Sequence, residues 1–592
     1  MSGMTSIYVG VSGLQSSQTG LNTTAHNISN MYTEGYTRQL SIKGDKVYIT
    51  QGQTATSLNQ VGLGVETIST SRYRSRLLDK AFRTENSRTE FYDAQYDAAT
   101  EISTILGEIN GESFDDTLSR LENAIQEVAK TPNDEAAQAE LVMYAEQFIE
   151  RAGQVYDGFY EYQCNLNQKI LGMVDTVNSI GAEINKLNQL ISGTESPGIE
   201  NANDLRDTRD LLLDKLSGYV GITYVENENN YVTVNIEGVP FVTEAGVYEM
   251  ATEMRDTEKE SSFVTCYWPH VGGQEVFHLS DPIDTTEGTD KGSLKGYLYA
   301  RGDFTAKYTD IPQIKDYNLT TAAGKAQYDA DVKTYMENVD SCSVVKAEAM
   351  FDSLIHGIVT RINDVLCPNI SGMPAGVTSF TDADGNTYPD GTVYTAANIE
   401  YLDANTSTGA DGKLPPQELF SRKDADRYIE VTGDDGNTYY IVRKNNKMGY
   451  ESLYTCRNLE INKKVLDDYS KLPFTAQGTR DEDFAKATNL ANAWSGKFAN
   501  LTPGSLTELN FNSYYDQFVY DIGNDGELYY NLTTNEASAT KTIDEQRTQI
   551  TGVSGDEELT NYMKFQQAYN ASSRYINVVS EMLEHIITSL GH

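Results

Sequence analysis

No charged side chain occurs before Glu34, although the chain of 592 residues carries a formal net charge of -40. Charge keeps a surface wet, so a long uncharged opening predicts a surface that something else will cover. Basic residues are scarce throughout, 46 Lys and Arg against 86 Asp and Glu, which sets the molecule against nucleic acid and anionic membrane surfaces. No run of about 18 apolar residues is present, so no spanning helix and no membrane insertion are expected. The start has neither a basic n-region nor an apolar h-region, so no cleavable signal peptide is expected. The cysteines, Cys164, Cys266, Cys342, Cys367 and Cys456, are odd in number, far apart and without CxxC spacing. Buried thiols fit that pattern better than a disulfide framework or a zinc site. There is no HExxH, GxSxG, Walker loop or strand-linked GxGxxG, so no catalytic residue, cofactor or metal is expected. Asp382, Asp384, Asn386 and Asp390 gather oxygens in one loop, but an EF-hand wants Gly at its sixth position and Glu at its twelfth, and neither is there. Arg301-Gly302-Asp303 reads as a turn or helix start rather than as an adhesion motif.

What the uncharged opening does contain is a period. Ile7, Val11, Leu14, Gln18, Leu21, Ala25, Ile28 and Tyr32 alternate by four and three, the spacing that keeps one seam against a partner helix in a left-handed coil. Gly10, Gly13 and Gly20 interrupt this helix, each costing about 1 kcal/mol relative to alanine, so alone it is marginal and needs a partner. The far end supplies one: Leu559, Tyr562, Gln566, Tyr569, Ser573, Ile576, Ser580, Leu583, Ile587 and Leu590 repeat the same rhythm. Ser554 and Glu557 have capping-box spacing and would start that helix near Asp556. Residues 1–60 sum to a charge of +1 and residues 553–592 to -3, which leaves -38 in between.

The interior alternates in character. Phe114, Leu118, Leu121, Ile125 and Val128 form a helical face that Thr131-Pro132 should end, and Ile180, Ile184, Leu187 and Ile191 form another up to Gly193. After Gly218 the period becomes two: YVTVNIEGVPFV reads as a hairpin turning at Glu237-Gly238, inside a β domain that ends near Gly292. Tyr335 to Leu366 returns to helix, with Val345, Met350, Leu354, Ile358 and Ile362 as its stripe. Residues 367–500 are rich in Gly, Asp, Asn, Thr and Tyr, the vocabulary of short strands and tight turns. Two near-repeats there, TDADGNTYPDGTVY from Thr381 and TGDDGNTYYIV from Thr432, each read as a hairpin tip.

The segment AHNISNMYTEGYTRQ, from Ala25 to Gln39, resembles the N-terminal signature of bacterial flagellar axial proteins, and GVSGDEELTNYMKFQQAYNASSRYI, from Gly552, resembles the C-terminal signature of the hook-associated protein 1 family. Two signatures in the right order at opposite ends are more specific than either alone, and NDLRDTRDLLLDKL and GSLKGYLYARGD extend the likeness. With the readings above, this implies a multidomain α+β chain: terminal helices paired as an axial coiled coil, a helical rod domain and outer β-rich domains. The expected division is 1–40 with 545–592 as axial helices, 41–217 with 292–366 and 505–544 as rod, 218–291 as a β domain, and 367–504 as a β-rich insertion.

The function implied is structural, a component of the flagellum at the junction between hook and filament. Axial packing is expected to fall to Ile7, Val11, Leu14, Leu21, Ile28, Leu559, Tyr562, Tyr569, Ile576, Leu583 and Ile587. Asn27, Asn30, Gly35 and Tyr36 are expected to form the turn from tube wall to rod, the two asparagines satisfying helix-end carbonyls and Gly35 taking a positive φ. The resemblance implies as partners further copies of the same chain, the hook protein, the next junction protein towards the filament, an export chaperone on the C-terminal helix and the flagellar type III export apparatus, with an extracellular destination. A hook or rod protein, or an adhesin or enzyme carried by residues 367–504, are the alternatives.

Overall fold

The computed structural model describes residues 2–590 except 54–57, 108–112, 197, 199, 255–262, 392, 424, 445–452, 479 and 506; side chains at 2–4, 51–53, 58, 59 and 590 also lie outside the description. Helix α1 (Ser2–Ser29) opens the chain. It is followed by β1 (Gln39–Asp45), β2 (Tyr48–Gln53), β3 (Leu58–Gly62) and β4 (Val65–Arg72). β1 pairs with β4 and β2 with β3, both antiparallel. These four strands thus occupy the start of the stretch 41–217 that is expected to belong to the helical rod. Leu40 and Ile42 alternate with polar neighbours on β1, and Val65, Thr67, Ile68 and Thr70 supply β-branched residues on β4, a pattern suited to a half-covered pleated surface.

The rod follows. Ser75 accepts from the Leu78 amide at the start of α2 (Arg76–Leu106), Ser113 from Asp116 at the start of α3 (Phe114–Lys130), and Asp134 from Ala136 at the start of α4 (Glu135–Glu195). The expected face of α3, from Phe114 to Val128, is fully buried and ends before Pro132. α4 runs 61 residues and buries Ile180, Ile184, Leu187 and Ile191. It passes Gly193 and ends at Glu195, which is held by a two-pronged ion pair with Arg206, at 2.6 and 2.7 Å, on α5 (Asn203–Tyr219).

The β domain is two sheets. β5 (Ile222–Glu226), β6 (Val232–Ile236), β7 (Val239–Thr243) and β8 (Gly246–Val247) make an antiparallel meander. β9 (Ala251–Met254), β10 (Val264–Trp268) and β11 (Gln274–Glu275) make the second, with β10 central. The β6–β7 turn is Glu237-Gly238, with φ of 48° and 79°, the two left-handed residues of a type I′ hairpin. α6 (Ser293–Arg301), α7 (Ala322–Tyr335) and α8 (Ser343–Leu366) return to the rod. Arg301 is fully buried and donates to the Asn167 side chain and the Val264 carbonyl, so the arginine of the Arg-Gly-Asp tripeptide is internal, at the end of α6.

The last third holds β12 (Asn369–Ser371), β13 (Phe380–Asp382), β14 (Thr387–Tyr388), β15 (Glu400–Leu402), β16 (Phe420–Arg422), β17 (Tyr428–Gly433), β18 (Thr438–Val442), β19 (Leu459–Ile461), α9 (Lys463–Asp467), α10 (Phe484–Trp494), α11 (Phe511–Thr551) and α12 (Gly555–Leu590). The two near-repeats are the hairpins β13–β14 and β17–β18, and they lie side by side in one sheet of order β12-β15-β18-β17-β13-β14. The Asp382 carboxylate is taken up by the amides of Asp384 and Asn386 and the Tyr388 hydroxyl, so it staples the turn. Residues 367–504 are not one outer domain in packing terms. Only the six-stranded lobe has its own small core around Phe380, Val431 and Ile441, while Leu419, Phe420, Leu459, Ile461, Leu490 and Trp494 join the main core with α3, α8 and the first half of α4. A second large core joins the other half of α4 to α5, α6 and the β domain.

At the edge of the main core, where it lines a cleft, the half-buried His356 imidazole stacks on Tyr308 with centroids 3.5 Å apart, and its Nδ1 lies 3.2 Å from the Tyr454 carbonyl. Burial lowers its pKa to about 4, while burial raises that of Asp352, one turn earlier on α8, to about 6. A neutral buried His contributes stability that is present above about 6.5 and lost as pH falls towards 4; the buried Asp contributes stability that is lost as pH rises from about 4 to 6. The two slopes oppose. His356→Phe removes one of them, so in urea melts the variant should gain about 3 kcal/mol relative to wild type as pH falls from 6.5 to 4. A constant difference across that range would contradict the assignment.

Candidate assembly interface and its joint

α1 and α12 lie against each other antiparallel, and glycine sets their separation. A Cβ built on Gly10 would stand 2.6 Å from Ile576 Cγ1, one on Gly13 2.8 Å from Ser572 Oγ, and one on Gly20 2.8 Å from the Phe565 ring. Gly10, Ser17, Gly20, Thr24 and Asn27 are buried and, with half-buried Gly13 completing the series, step by three and four. This run of small residues is the seam, and it lets the backbones approach more closely than larger side chains would permit. The apolar stripe read from the sequence runs beside it. Ile7, Leu14, Leu21 and Ile28 are half-buried and Val11 is exposed; on α12, Tyr562, Tyr569, Ile576 and Leu583 are half-buried, whereas Leu559 and Ile587 are 54% and 70% exposed. Tyr8, Met563, Tyr575, Val578, Met582 and Ile586 add to the uncovered apolar area, and β1, β2 and β4 extend it through Leu40, Ile42, Tyr48, Ile49 and Ile68. So large an apolar surface on one chain marks an interaction site.

The turn after α1 is a hydrogen-bonded hub. Asn27, 1% exposed, donates from Nδ2 to the Gln39 carbonyl at 2.9 Å and to Glu558 Oε2 at 3.1 Å, and accepts at Oδ1 from the Tyr36 hydroxyl at 2.7 Å and the Gln39 amide at 3.0 Å. All four capacities of the amide are used. This corrects the expected role: Asn27 caps no helix-end carbonyl but ties α1 to β1 and to the first turn of α12. Asn30 does reach a helix-end carbonyl, that of His26, at 3.1 Å, and Gly35 has φ 76°. Burial and three nearby carboxylates raise the Tyr36 phenol pKa, so it stays a donor. Arg38 closes the hub with Nε 2.9 Å from Glu558 Oε1 and its amide 2.9 Å from the Thr551 carbonyl at the end of α11.

Behind the hub, charge locks the strands to the rod. Asp204, Asp207, Asp210 and Asp214 are spaced by three and four along α5. Asp207 accepts from the Thr37 amide at 2.9 Å and from Arg72 at 2.7 Å; Asp210 accepts from Arg72 at 2.8 Å; Asp214 accepts from Arg83 at 2.6 Å and from Arg547 at 2.7 Å. Arg547 also lies 4.0 Å over the Phe82 ring, and α11 runs antiparallel along α2 through Tyr96 with Tyr530 and Thr89 with Thr540. Sequence reasoning passed over this lattice; the three-and-four aspartate spacing on α5 and the Arg72-Tyr73-Arg74 run were its signals. Among the described residues no group of three or more His, Cys, Asp or Glu is placed to hold a metal ion, and no helix is long and apolar enough to cross a membrane.

Terminal helices joined at a hub to a helical rod, with β-rich lobes beyond, define a multidomain protein whose two chain ends form one paired-helix element. Residues 99–365 match the flagellar hook-associated protein FlgK helical domain, 545–589 the flagellar basal body rod FlgEFG protein C-terminal family, and 7–37 the flagella basal body rod protein family. The chain is similar to the flagellar hook-associated protein 1 of Bacillus subtilis, 25% identical over 99% of both chains, and to those of Salmonella typhimurium and Escherichia coli, 23% and 22% identical over 98% of both. Among solved structures, the flagellar hook junction protein FlgK from Burkholderia pseudomallei covers 79% of this chain and 100% of its own, with 12% identity and a TM-score of 0.49. The chain is thus similar to flagellar hook-associated protein 1 along nearly its whole length, and it is a structural component of the flagellum.

Proposed function

We propose that the chain forms the hook-filament junction by helical self-assembly through α1 and α12, which line the inner wall as a coiled coil completed by neighbouring copies. The observation that carries this reading is the placement of the terminal apolar side chains. The seam between α1 and α12 is occupied by small residues, so Val11, Leu559, Ile587 and their neighbours remain on the outside of the pair, where other subunits can cover them. Contacts that repeat around an axis without closing make a tube, with hook protein below and the next junction protein above. Since the pair joins sequence ends more than 500 residues apart, its closure is entropically unfavourable before neighbours contribute. Passage through the flagellar export apparatus, with a chaperone shielding the exposed face of α12, fits such ends, and the role requires no catalysis.

Leu583→Asp or Leu21→Asp should leave the melting of the rod and β domains unchanged yet abolish incorporation into flagella, seen as loss of motility and of filaments on hooks. A motile strain carrying either variant would refute the assignment. Immunogold labelling of sheared flagella should give one band at the distal end of the hook; labelling along the whole length would favour a hook or filament position instead.

A further inference from the structure

In a chain with only 46 basic residues, 8 of them line a single cleft of about 860 Å³ at the meeting of β4, α2, α5 and the β domain, against 3 acidic side chains. The cations are organised as two triads. Arg72, Arg74 and Arg83 converge on Asp210 at 2.8, 3.5 and 3.4 Å. Arg76, Arg206 and Arg209 converge on Glu226 at 2.9, 2.7 and 2.8 Å. Lys80 and Lys291 complete the lining. Asp207, Asp214 and Glu195 compensate from behind the wall through Arg72, Arg83 and Arg206, and Glu237 faces Lys291, yet with them included the eight cations still exceed the carboxylates by one. Arg209 is 2% exposed, and its Nε has no hydrogen-bond partner. Burial, helped by the adjacent Arg206, weakens its hold on the proton against the pull of Glu226 and Asp210.

We propose that this cleft binds a multivalent oxyanion, its negative oxygens completing the coordination of the Arg76, Arg206 and Arg209 triad. Guanidinium forks suit paired anionic oxygens, as in a phosphate or a pair of carboxylates, and a protein of net charge -40 gains little from concentrating cations in a cavity that stays empty. Two sources carry that chemistry: a free phosphate-type ion, or acidic side chains of an adjoining copy of this chain. The cleft lies beside the layer β1–β4, away from the α1–α12 seam, so the site stands whether or not the terminal helices assemble as proposed.

The test is calorimetric titration of the full chain, as monomer, with sodium pyrophosphate at an ionic strength held constant with sodium chloride. One saturable site per chain is expected. The rim variant Arg76→Ala with Lys80→Ala removes two exposed cations and should bind roughly tenfold more weakly while melting as wild type does in the absence of pyrophosphate. Absence of a saturable site, or equal affinity in the two proteins, overturns the proposal. Repeating the titration on sedimented assemblies separates the sources. Retained binding there assigns the cleft to a free ion; lost binding, together with slower assembly when pyrophosphate is present, assigns it to carboxylates of the adjoining copy.

Discussion

Gly20→Leu is expected to abolish assembly while leaving the middle of the chain folded. A side chain at Gly20 meets Phe565 at 2.8 to 2.9 Å, and the atoms it meets include Cγ at the root of the ring, which cannot swing away as a ring tip can. Lys43, whose ammonium sits 4.3 Å over the same ring, hems Phe565 in from the strand layer. Overpacking of this kind costs about 1 to 3 kcal/mol in a tight core, and here it falls on a helix that is already marginal because of its glycines. α1 therefore has little reserve, and separating it from α12 breaks the surface that neighbouring subunits would meet. Far-ultraviolet circular dichroism should lose at most the two terminal helices, thermal melting of the rod should be unchanged, and polymerisation followed by light scattering should vanish. Gly20→Ala, with one methyl, should be milder and Gly20→Leu severe. Assembly of Gly20→Leu at the wild-type rate would show that the seam is not held closed by this contact.

The same glycines mark what the sequence made legible and what it did not. The three-and-four period of Ile7, Val11, Leu14, Leu21 and Ile28 correctly implied a helix, because apolar period reports which faces leave water. It did not tell which of those faces meets which partner, and the close seam went to Gly10, Gly13, Ser17 and Gly20, whose small size is visible only as a cost when one helix is considered alone. Rod helices such as α3 were readable to within a residue or two, since cap, stripe and proline all agree. The strands β1–β4 were missed because they are short, half-exposed and follow a strong helical signature. Residues 403–422 and 459–501 look like outer insertion by composition, yet Phe420, Ile461 and Trp494 pack into the rod core; turn-rich composition describes local backbone and carries no information on which core a few apolar residues join. The Asn27 hub and the α5 lattice depend on pairings across separations such as Asn27 to Glu558, which no local pattern encodes.

That lattice supports the other large effect. Asp210 receives Arg72, Arg74 and Arg83, and those three guanidiniums hold its carboxyl well below the usual carboxylate range despite burial. Asp210→Ala leaves three cations around an empty position between β4, α2 and α5. Removing one partner of a buried ionic cluster costs about 3 to 5 kcal/mol, more than replacing the whole cluster by apolar residues would. The loss should be directional: Arg72 and Arg74 anchor the strand layer, so residues 31–75 should become sensitive to trypsin before the rod unfolds, and motility should fail even where the chain is still exported. For a carboxyl whose folded pKa is depressed, the stabilisation is fully present above about pH 4 and is lost progressively as pH falls from there towards the much lower folded value. The gap in stability between wild type and Asp210→Ala should therefore hold constant from pH 8 to about 5 and close only in stronger acid. Asp210→Ala combined with Arg72→Gln should recover part of the loss, because a cation without counter-charge is removed with it; a double variant as unstable as the sum of the two singles would mean that the lattice acts through packing and not through charge.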